Sequence, residues 1–294
     1  MRHAFLMTVH SHPEMFGRIL KWISASNHYI FVNVDKKYDI KPFINAAENI
    51  PNVIFTDGKK RVAVNWGGFS QIQAELNLLS MAAEISADYF HLISGQDFPC
   101  VNADTFDMFF ELHEGESYMH FDNEEEAEDW KKYKYPERYK RFHFNDLYIV
   151  NQRVSTFIRI VFSIIFKRYE RPDISGIAAG WNWFSWHKSV VDYIFDFLDR
   201  NSKYIDRFHY TSCCDEIFFH TILNEHTTEL NINRDNALRF IEWHPKRNAK
   251  SLPLILDERE YQDIVDSRAF FCRKVDPSAS GRLIEMLEKR MSNT

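Results

Sequence analysis

The first hundred residues alternate short apolar runs with amphipathic stretches, an alternation that predicts βα units in a largely parallel sheet. Residues 4–10 predict a first strand, 13–23 a helix, and 29–34 a second strand ending at Asp35. A polar helix over 40–47 leads to a short strand at 53–55, then to a segment 62–66 closed by a Gly67-Gly68 turn. Helical periodicity runs through 69–85, and a buried strand at 89–93 ends in SGQDFP. Sites in open α/β sheets lie beyond the carboxyl ends of the strands, so His10, Asp35 and Asp97 are placed to share one crevice.

After Ser117 the regularity lapses. An acidic run at 124–126 precedes WKKYKYPERYKRFHF (130–144), dense in cations and aromatic rings. Two readings stay open: a solvated charged loop, or an acceptor-binding loop, because aromatic faces beside charged hydrogen-bonding groups suit sugars. Residues 154–166 are apolar around most of a helix's circumference and flanked by Arg153, Arg159, Lys167 and Arg168. Too short to span a bilayer, they predict either a core helix or an interfacial membrane helix. The second half opens on a strand at 177–185 and a helix over 187–199. A short helix over 215–224 with Thr211 or Ser212 as its cap comes next, then a strand at 238–243. Helices over 257–267 and 277–290 flank a short apolar run at 270–275.

Composition narrows the class. Of 294 residues, 45% are hydrophobic and only nine are Gly and nine Pro, which excludes disorder, collagen and coiled coil. The net charge of −6 argues against a nucleic-acid partner, whose binding rests on phosphate neutralisation. Cys100, Cys213, Cys214 and Cys272 show no CxxC spacing and read as reduced thiols of a cytoplasmic protein. The opening MRHAFLMTVHSHPEMF is too polar for a signal peptide, and no segment offers the ~20 apolar residues of a spanning helix. A soluble protein, or one peripheral at a membrane, is expected.

Candidate chemistry follows from spacing. His10-x-His12 and the pair Glu216 and His220, one helical turn apart, have metal-ligand spacing but no evident third ligand. No Asp-x-Asp follows a strand, and neither GxGxxG nor GxxxxGK[ST] occurs, which disfavours dehydrogenases and P-loop enzymes. A phosphate-bearing substrate would then need Arg and Lys as its clamp, and Arg239, Arg273 and Lys274 offer one, though each alone reads equally as a surface cation. Trp181 and Trp183 alternate along a strand and so share a face, as a stacking platform or as core; Trp186 reads as core.

Seven stretches together resemble the Branch family of glycosyltransferases, family 14, which contains core-2 β-1,6-N-acetylglucosaminyltransferases and peptide O-xylosyltransferases. They are YIFVNVDKK (29–37), VNWGGFSQIQAELNLL (64–79), DYFHLISGQDFPC (88–100), GWNWFSWHKSVVDYI (180–194), CCDEIFFHTIL (213–223), LRFIEWHPK (238–246) and FFCRKVDP (270–277). The resemblance implies a GT-A-like α/β fold with a mixed, mostly parallel sheet flanked by helices. It further implies a UDP-sugar donor, inversion at the anomeric carbon and no metal or other cofactor. Glu216 matches the family's catalytic base, Lys274 a diphosphate-binding lysine, and Arg273 the arginine of the xylosyltransferase branch. Arg239 matches a second diphosphate arginine, and His10 and Asp35 the nucleoside-contacting region, with Trp66 and Asp97 lining the donor side. Asp215 joins Trp181 and Trp183 on the acceptor side, orienting the loop rather than acting as base.

On this pattern the chain is one domain, 1–294: a nucleotide-sugar half (1–121), an acceptor- or membrane-proximal insertion (122–172) and a catalytic half (173–294). The family's acceptor residues cannot be traced through the insertion. The disulfides and membrane anchor of animal relatives are not evident, which fits a bacterial cytoplasmic enzyme. The expectation is transfer of N-acetylglucosamine to a glycan or lipid-linked glycan in surface polysaccharide synthesis, with 154–166 docked on the inner membrane face. The alternatives are xylosyl transfer, a metal-dependent hydrolase using Glu216 and His220, and a carbohydrate-binding protein without turnover.

Overall fold

β1 (His3–Val9) leads through α1 (Pro13–Ile23) to β2 (His28–Val34), and α2 (Lys41–Ala47) to β3 (Val53–Phe55). The description comes from a computed structural model and covers residues 1–126, 128, 135–147, 152–249 and 251–293. α3 (Phe69–Ala83) delivers the chain to β4 (Tyr89–Ser94), β5 (Phe98–Pro99), α4 (Ala103–Leu112) and β6 (Ser117–Phe121). α5 (Tyr135–Lys140) and α6 (Gln152–Phe166) precede β7 (Gly180–His187), α7 (Lys188–Arg200) and α8 (Phe218–Leu223). β8 (Ile232–Asn233), β9 (Arg239–Ile241), α9 (Tyr261–Ser267), β10 (Phe271–Arg273) and α10 (Gly281–Met291) complete the order.

The main sheet runs β3-β2-β1-β4-β7-β6-β8. β3, β2, β1 and β4 are mutually parallel, and β7 pairs antiparallel with both β4 and β6. β1 is therefore central, and nearly every residue of HAFLMTV is buried, as a strand covered on both faces requires. The outcome is the α/β architecture expected: a mixed, mostly parallel sheet flanked by helices. β7 inserts between strands from 1–121, so the first and last parts of the chain share one sheet.

Two apolar layers sandwich that sheet. On one face α1 buries Met15, Phe16, Ile19, Leu20 and Ile23 at helical spacing, beside α4, α10 and the small sheet β5-β10-β9. On the other, α3 buries Phe69, Ile72, Leu76 and Leu79 against Phe184, Trp186 and α8. Each such side chain contributes about 1.5–3 kcal/mol when taken from water, so the alternation along β7 is enforced: Asn182, Phe184 and Trp186 face α3, while Trp183 and Ser185 meet Arg273 and Arg239 of the small sheet.

Two expectations need correction. The single helix over 215–224 is a 3-10 turn, Cys214–Glu216, followed by α8, with the break at Ile217 (φ −131°). Neither Thr211 nor Ser212 caps it: Cys213 takes the N-terminal position in the left-handed region, φ 47°, and the Thr211 hydroxyl donates to the Arg207 carbonyl at 3.2 Å. Residues 154–166 are not a core helix either. Phe157 and Ile164 are each 66% exposed, and Val154, Ile160 and Ile165 also face outward. Its inner side is held by Phe162 and Phe166 against Phe144, and by Arg159 donating twice to the Leu147 carbonyl.

Candidate functional site

The carboxyl ends of β1, β2, β4 and β6 and the start of antiparallel β7 lie along one edge of the sheet, and the candidate residues gather there. Beyond β1 and β2, His10 is exposed and its ring lies 5.6 Å from that of Tyr38. Partial shielding of the ring by the surrounding chain lowers the His10 pKa, and the charge of Asp35 opposes that shift. Asp35 accepts from the Lys37 backbone N–H at 3.0 Å and pairs with Lys37 Nζ at 3.3 Å.

Beyond β4 the SGQD turn folds back on itself. Asp97 is fully buried; its Oδ2 accepts from the Ser94 backbone N–H at 2.7 Å and hydroxyl at 2.5 Å. Arg273 Nη1 donates to both Asp97 oxygens, at 2.9 and 2.8 Å. Asp97 thus does not line the donor side with its own atoms, a correction; it acts by fixing Arg273. The Arg273 guanidinium also lies 3.9 Å from the centre of the Trp183 ring, so that ring stacks a cation rather than standing open. Beside it, burial and Arg273 lower the Lys274 pKa.

Arg239 departs further from expectation. It is buried, with Nη1 donating to Ser185 Oγ (2.9 Å) and the Ala237 carbonyl (2.7 Å), and Nη2 to the Leu92 (3.0 Å) and Phe184 (2.9 Å) carbonyls. Its terminal nitrogens are spent on the protein, so it ties β9 to β4 and β7 from below instead of reaching the edge. Burial, reinforced by Arg273, lowers its pKa to about 9.

The Glu216 end is built on the WGG turn. Gly67 has φ +68°, and its carbonyl accepts from the Cys213 N–H (2.9 Å) and from Asn145 Nδ2 (2.8 Å). A Cβ at Gly68 would stand 2.2 Å from Asp146 Oδ1, whose partner oxygen accepts from the Ser70 N–H in the first turn of α3. These bonds position the 213–216 loop against the WGG turn, and Trp66 of that turn is 85% exposed. Glu216 Oε2 lies 2.5 Å from Arg138 Nη1 of α5. Burial raises the Glu216 pKa while Arg138 holds it down.

Beneath it sits a carboxyl pair: Asp215, expected on the acceptor side, and Glu75, which sequence reasoning did not single out. Asp215 Oδ2 accepts from Gln71 Nε2 at 2.9 Å, and the fully buried Glu75 accepts from Asn182 Nδ2 at 2.8 Å. Burial and Glu216 push the Asp215 pKa up to about 7, and burial and Asp215 carry Glu75 well above the usual carboxylate range. Gln71 and Glu75 are one turn apart on α3, a signal that reads as solvent-facing until the helix is seen to be covered.

Asp122, just after β6, lies on the Glu216 side. Burial, Glu126 and Glu216 push its pKa up to about 7. His120 lies 3.2 Å from Glu126 and 4.0 Å from Asp122, and its ring centre is 4.3 Å from that of Trp181, the neighbour of Trp183 on one strand face. His120, Asp122 and Glu126 form one of two groups among the described residues whose donor atoms could hold a metal ion. The pairing of Glu216 with His220 dissolves: His220 is buried and its Nε2 donates to the His120 carbonyl at 3.0 Å, in a space where a Cβ at Gly180 would stand 2.6 Å from it. His12 pairs with Glu14 at 3.3 Å, away from any third ligand among the described residues. Of the aromatic and basic run, 130–134 lie outside the described residues.

The family model for the Core-2/I-Branching enzymes covers residues 3–265, and the chain belongs to that family. It is 24% identical over 99% of its length to xylosyltransferase sqv-6 of Caenorhabditis briggsae, and 23% identical over 98% to human xylosyltransferase 2. A third of the chain is 32% identical to a zebrafish (Danio rerio) β-1,3-galactosyl-O-glycosyl-glycoprotein β-1,6-N-acetylglucosaminyltransferase 4. The chain spans 37%, 33% and 23% of the length of these three relatives. Among solved structures, apo mouse xyloside xylosyltransferase 1 aligns with a TM-score of 0.39 at 10% identity, covering 93% of this chain and 95% of that one.

Proposed function

We propose that this protein is an inverting glycosyltransferase that moves a sugar from a UDP-sugar to a hydroxyl of a glycan acceptor, with no metal in the reaction. The observation that carries the reading is the placement of a partly buried, Arg-paired carboxylate, Glu216, and a braced Arg273 with Lys274 on the same strand-end edge. A nucleotide diphosphate is already a good leaving group, so one base and one cationic clamp suffice, without the second carboxylic acid of a glycosidase. Glu216 takes the proton of the acceptor hydroxyl as its oxygen attacks the anomeric carbon opposite UDP. Arg273 and Lys274 stabilise the charge that grows on the β-phosphate. His10 and Asp35 mark the nucleoside end, the exposed Trp66 belongs to the donor side, and the Trp181 side marks the acceptor end.

The sugar is read as N-acetylglucosamine. The relatives aligned along the whole chain are named xylosyltransferases, which supports xylose as the second reading. No helix among the described residues is long and apolar enough to cross a membrane, and the outward face of α6 is read as a peripheral membrane contact beside a lipid-linked acceptor in surface polysaccharide synthesis on the cytoplasmic side. The deciding experiment is a thermal-shift titration with UDP, UDP-N-acetylglucosamine, UDP-xylose, UDP-glucose and UDP-galactose, with and without chelator. Ligand at a hundredfold excess over Kd adds about 2.7 kcal/mol, a shift of a few degrees. Stabilisation that survives chelator is expected; none by any nucleotide, or its loss with chelator, overturns the reading.

A further inference from the structure

At the opposite end of the sheet, two buried imidazoles converge on one carboxylate. His3 and His28 stand side by side at the starts of β1 and β2, in register. His28 Nε2 lies 2.6 Å and His3 Nε2 3.5 Å from the same oxygen, Asp107 Oδ1, on α4. Each ring is oriented from behind. His28 Nδ1 is 2.7 Å from the Ile23 carbonyl, which can only accept, so that nitrogen carries its proton. His3 Nδ1 is 3.0 Å from His91 Nε2. The other Asp107 oxygen accepts from Asn27 Nδ2 at 2.8 Å.

Among the described residues His3 Nε2 has no hydrogen-bond partner although His3 is fully buried. In the tautomer whose Nδ1–H points to His91, the Nε2 lone pair faces the Asp107 carboxylate, and that tautomer is favoured when a cation lies between them. The 3.5 Å separation is too long for a good N–H···O bond. It matches the about 3.3–3.5 Å between two ligands of a tetrahedral ion bound at about 2.0–2.2 Å.

We propose that His3, His28 and Asp107 form a binding site for a first-row transition-metal ion, zinc foremost. Two imidazoles and one carboxylate suit zinc, cobalt or nickel and not calcium or magnesium, which take oxygen donors. An outer nitrogen held by a backbone carbonyl, as at His28, is the usual support of a metal-binding imidazole, and His91 fixes the outer nitrogen of His3. The ion takes the place of the proton now between His28 and Asp107, and the 2.6 Å pair opens by about 0.7–0.9 Å to reach ligand spacing. Asp107 is 24% exposed, so water reaches the fourth position. The site lies at the amino-terminal end of the strands, away from Glu216 and Arg273, and the ion fastens the starts of β1 and β2 to α4 rather than entering the reaction.

The test uses the whole chain, stripped by chelator and titrated with Co2+ alone, then with Zn2+ as competitor. One Co2+ per chain with the visible ligand-field bands of a four-coordinate ion is expected, displaced by Zn2+. Asp107→Asn and His3→Gln should abolish the bands, and His120→Gln, in the group at the other edge, should leave them. Absence of bands in the wild type overturns the site, as do bands that persist in Asp107→Asn or vanish with His120→Gln. Should His3→Gln fail to fold, an anomalous-difference peak at the zinc edge in wild-type crystals soaked in Zn2+ locates the ion without any variant; a peak elsewhere alone is equally fatal.

Discussion

Arg138 Nη1 stands 2.5 Å from Glu216 Oε2, and this contact joins the insertion to the loop that carries the proposed base. The Ser212 N–H donates to the Arg138 carbonyl at 3.0 Å, so backbone and side chain both fasten α5 to that loop. Burial raises the Glu216 pKa, and the guanidinium opposes that rise and so favours the ionised form that can accept a proton. Glu216→Gln should lower kcat by about 10²–10⁴-fold with UDP-sugar binding kept. Arg138→Met should move the acidic limb of the kcat/KM profile to higher pH, because the carboxyl then loses its counter-charge. A wild-type rate in the first variant, or an unmoved limb in the second, would remove Glu216 from that role.

The brace behind the cationic clamp gives a second prediction. Asp97 is fully buried and Arg273 nearly so, and removing one partner of such a pair leaves an uncompensated charge. Asp97→Asn should cost about 3–5 kcal/mol in chemical denaturation, the range for a broken buried pair. It should also weaken UDP binding by calorimetry, since Arg273 loses its fixed position. Unchanged affinity for UDP in a folded Asp97→Asn protein would show that Arg273 does not meet the diphosphate.

The buried carboxyls under Glu216 set a pH dependence of stability. The folded pKa of Asp215 is pushed up from 3.8 to about 7, and that of Glu75 is raised as well. The folded state then binds more protons than the unfolded chain, so this contribution is full below about pH 4 and is lost as pH rises toward 7. Asp215→Asn, which keeps the shape and can still accept from Gln71, should flatten that decline and raise Tm most at neutral pH and above. A parallel Tm profile for variant and wild type would show that Asp215 is ionised throughout.

Much of this was legible before any coordinates, and the reasons separate cleanly. α1 (Pro13–Ile23) and β3 (Val53–Phe55) have the bounds their patterns predict, because an amphipathic period and a short apolar run are local signals. Glu216, Arg273 and Lys274 stood out through motif context. Arg138 did not, since one guanidinium within WKKYKYPERYKRFHF is indistinguishable from its neighbours until the fold selects it. The direction of Arg239 was equally hidden: a three-residue strand gives no period from which to choose its face. Glu75 was masked because a carboxylate at a helix position covered by β7 contradicts the usual rule for burial.

The outward face of α6 supports a last prediction. Phe157, Ile160, Ile164 and Ile165 form an apolar stripe at helical spacing, with exposed Arg153, Lys167 and Arg168 at its ends. Neither feature alone would mark a membrane surface, but together they match what an anionic bilayer offers: apolar burial, and roughly 1 kcal/mol of attraction per basic residue. The protein should co-sediment with vesicles of phosphatidylcholine and phosphatidylglycerol at low salt and release as salt rises. Phe157→Glu with Ile164→Glu removes two side chains worth about 1.5 kcal/mol each or more, so binding should weaken roughly a hundredfold. The thermal shift with UDP should remain, because neither residue belongs to the strand-end site. Vesicle binding that is equal in the double variant, or equal on purely zwitterionic lipid, would assign the stripe to some other contact.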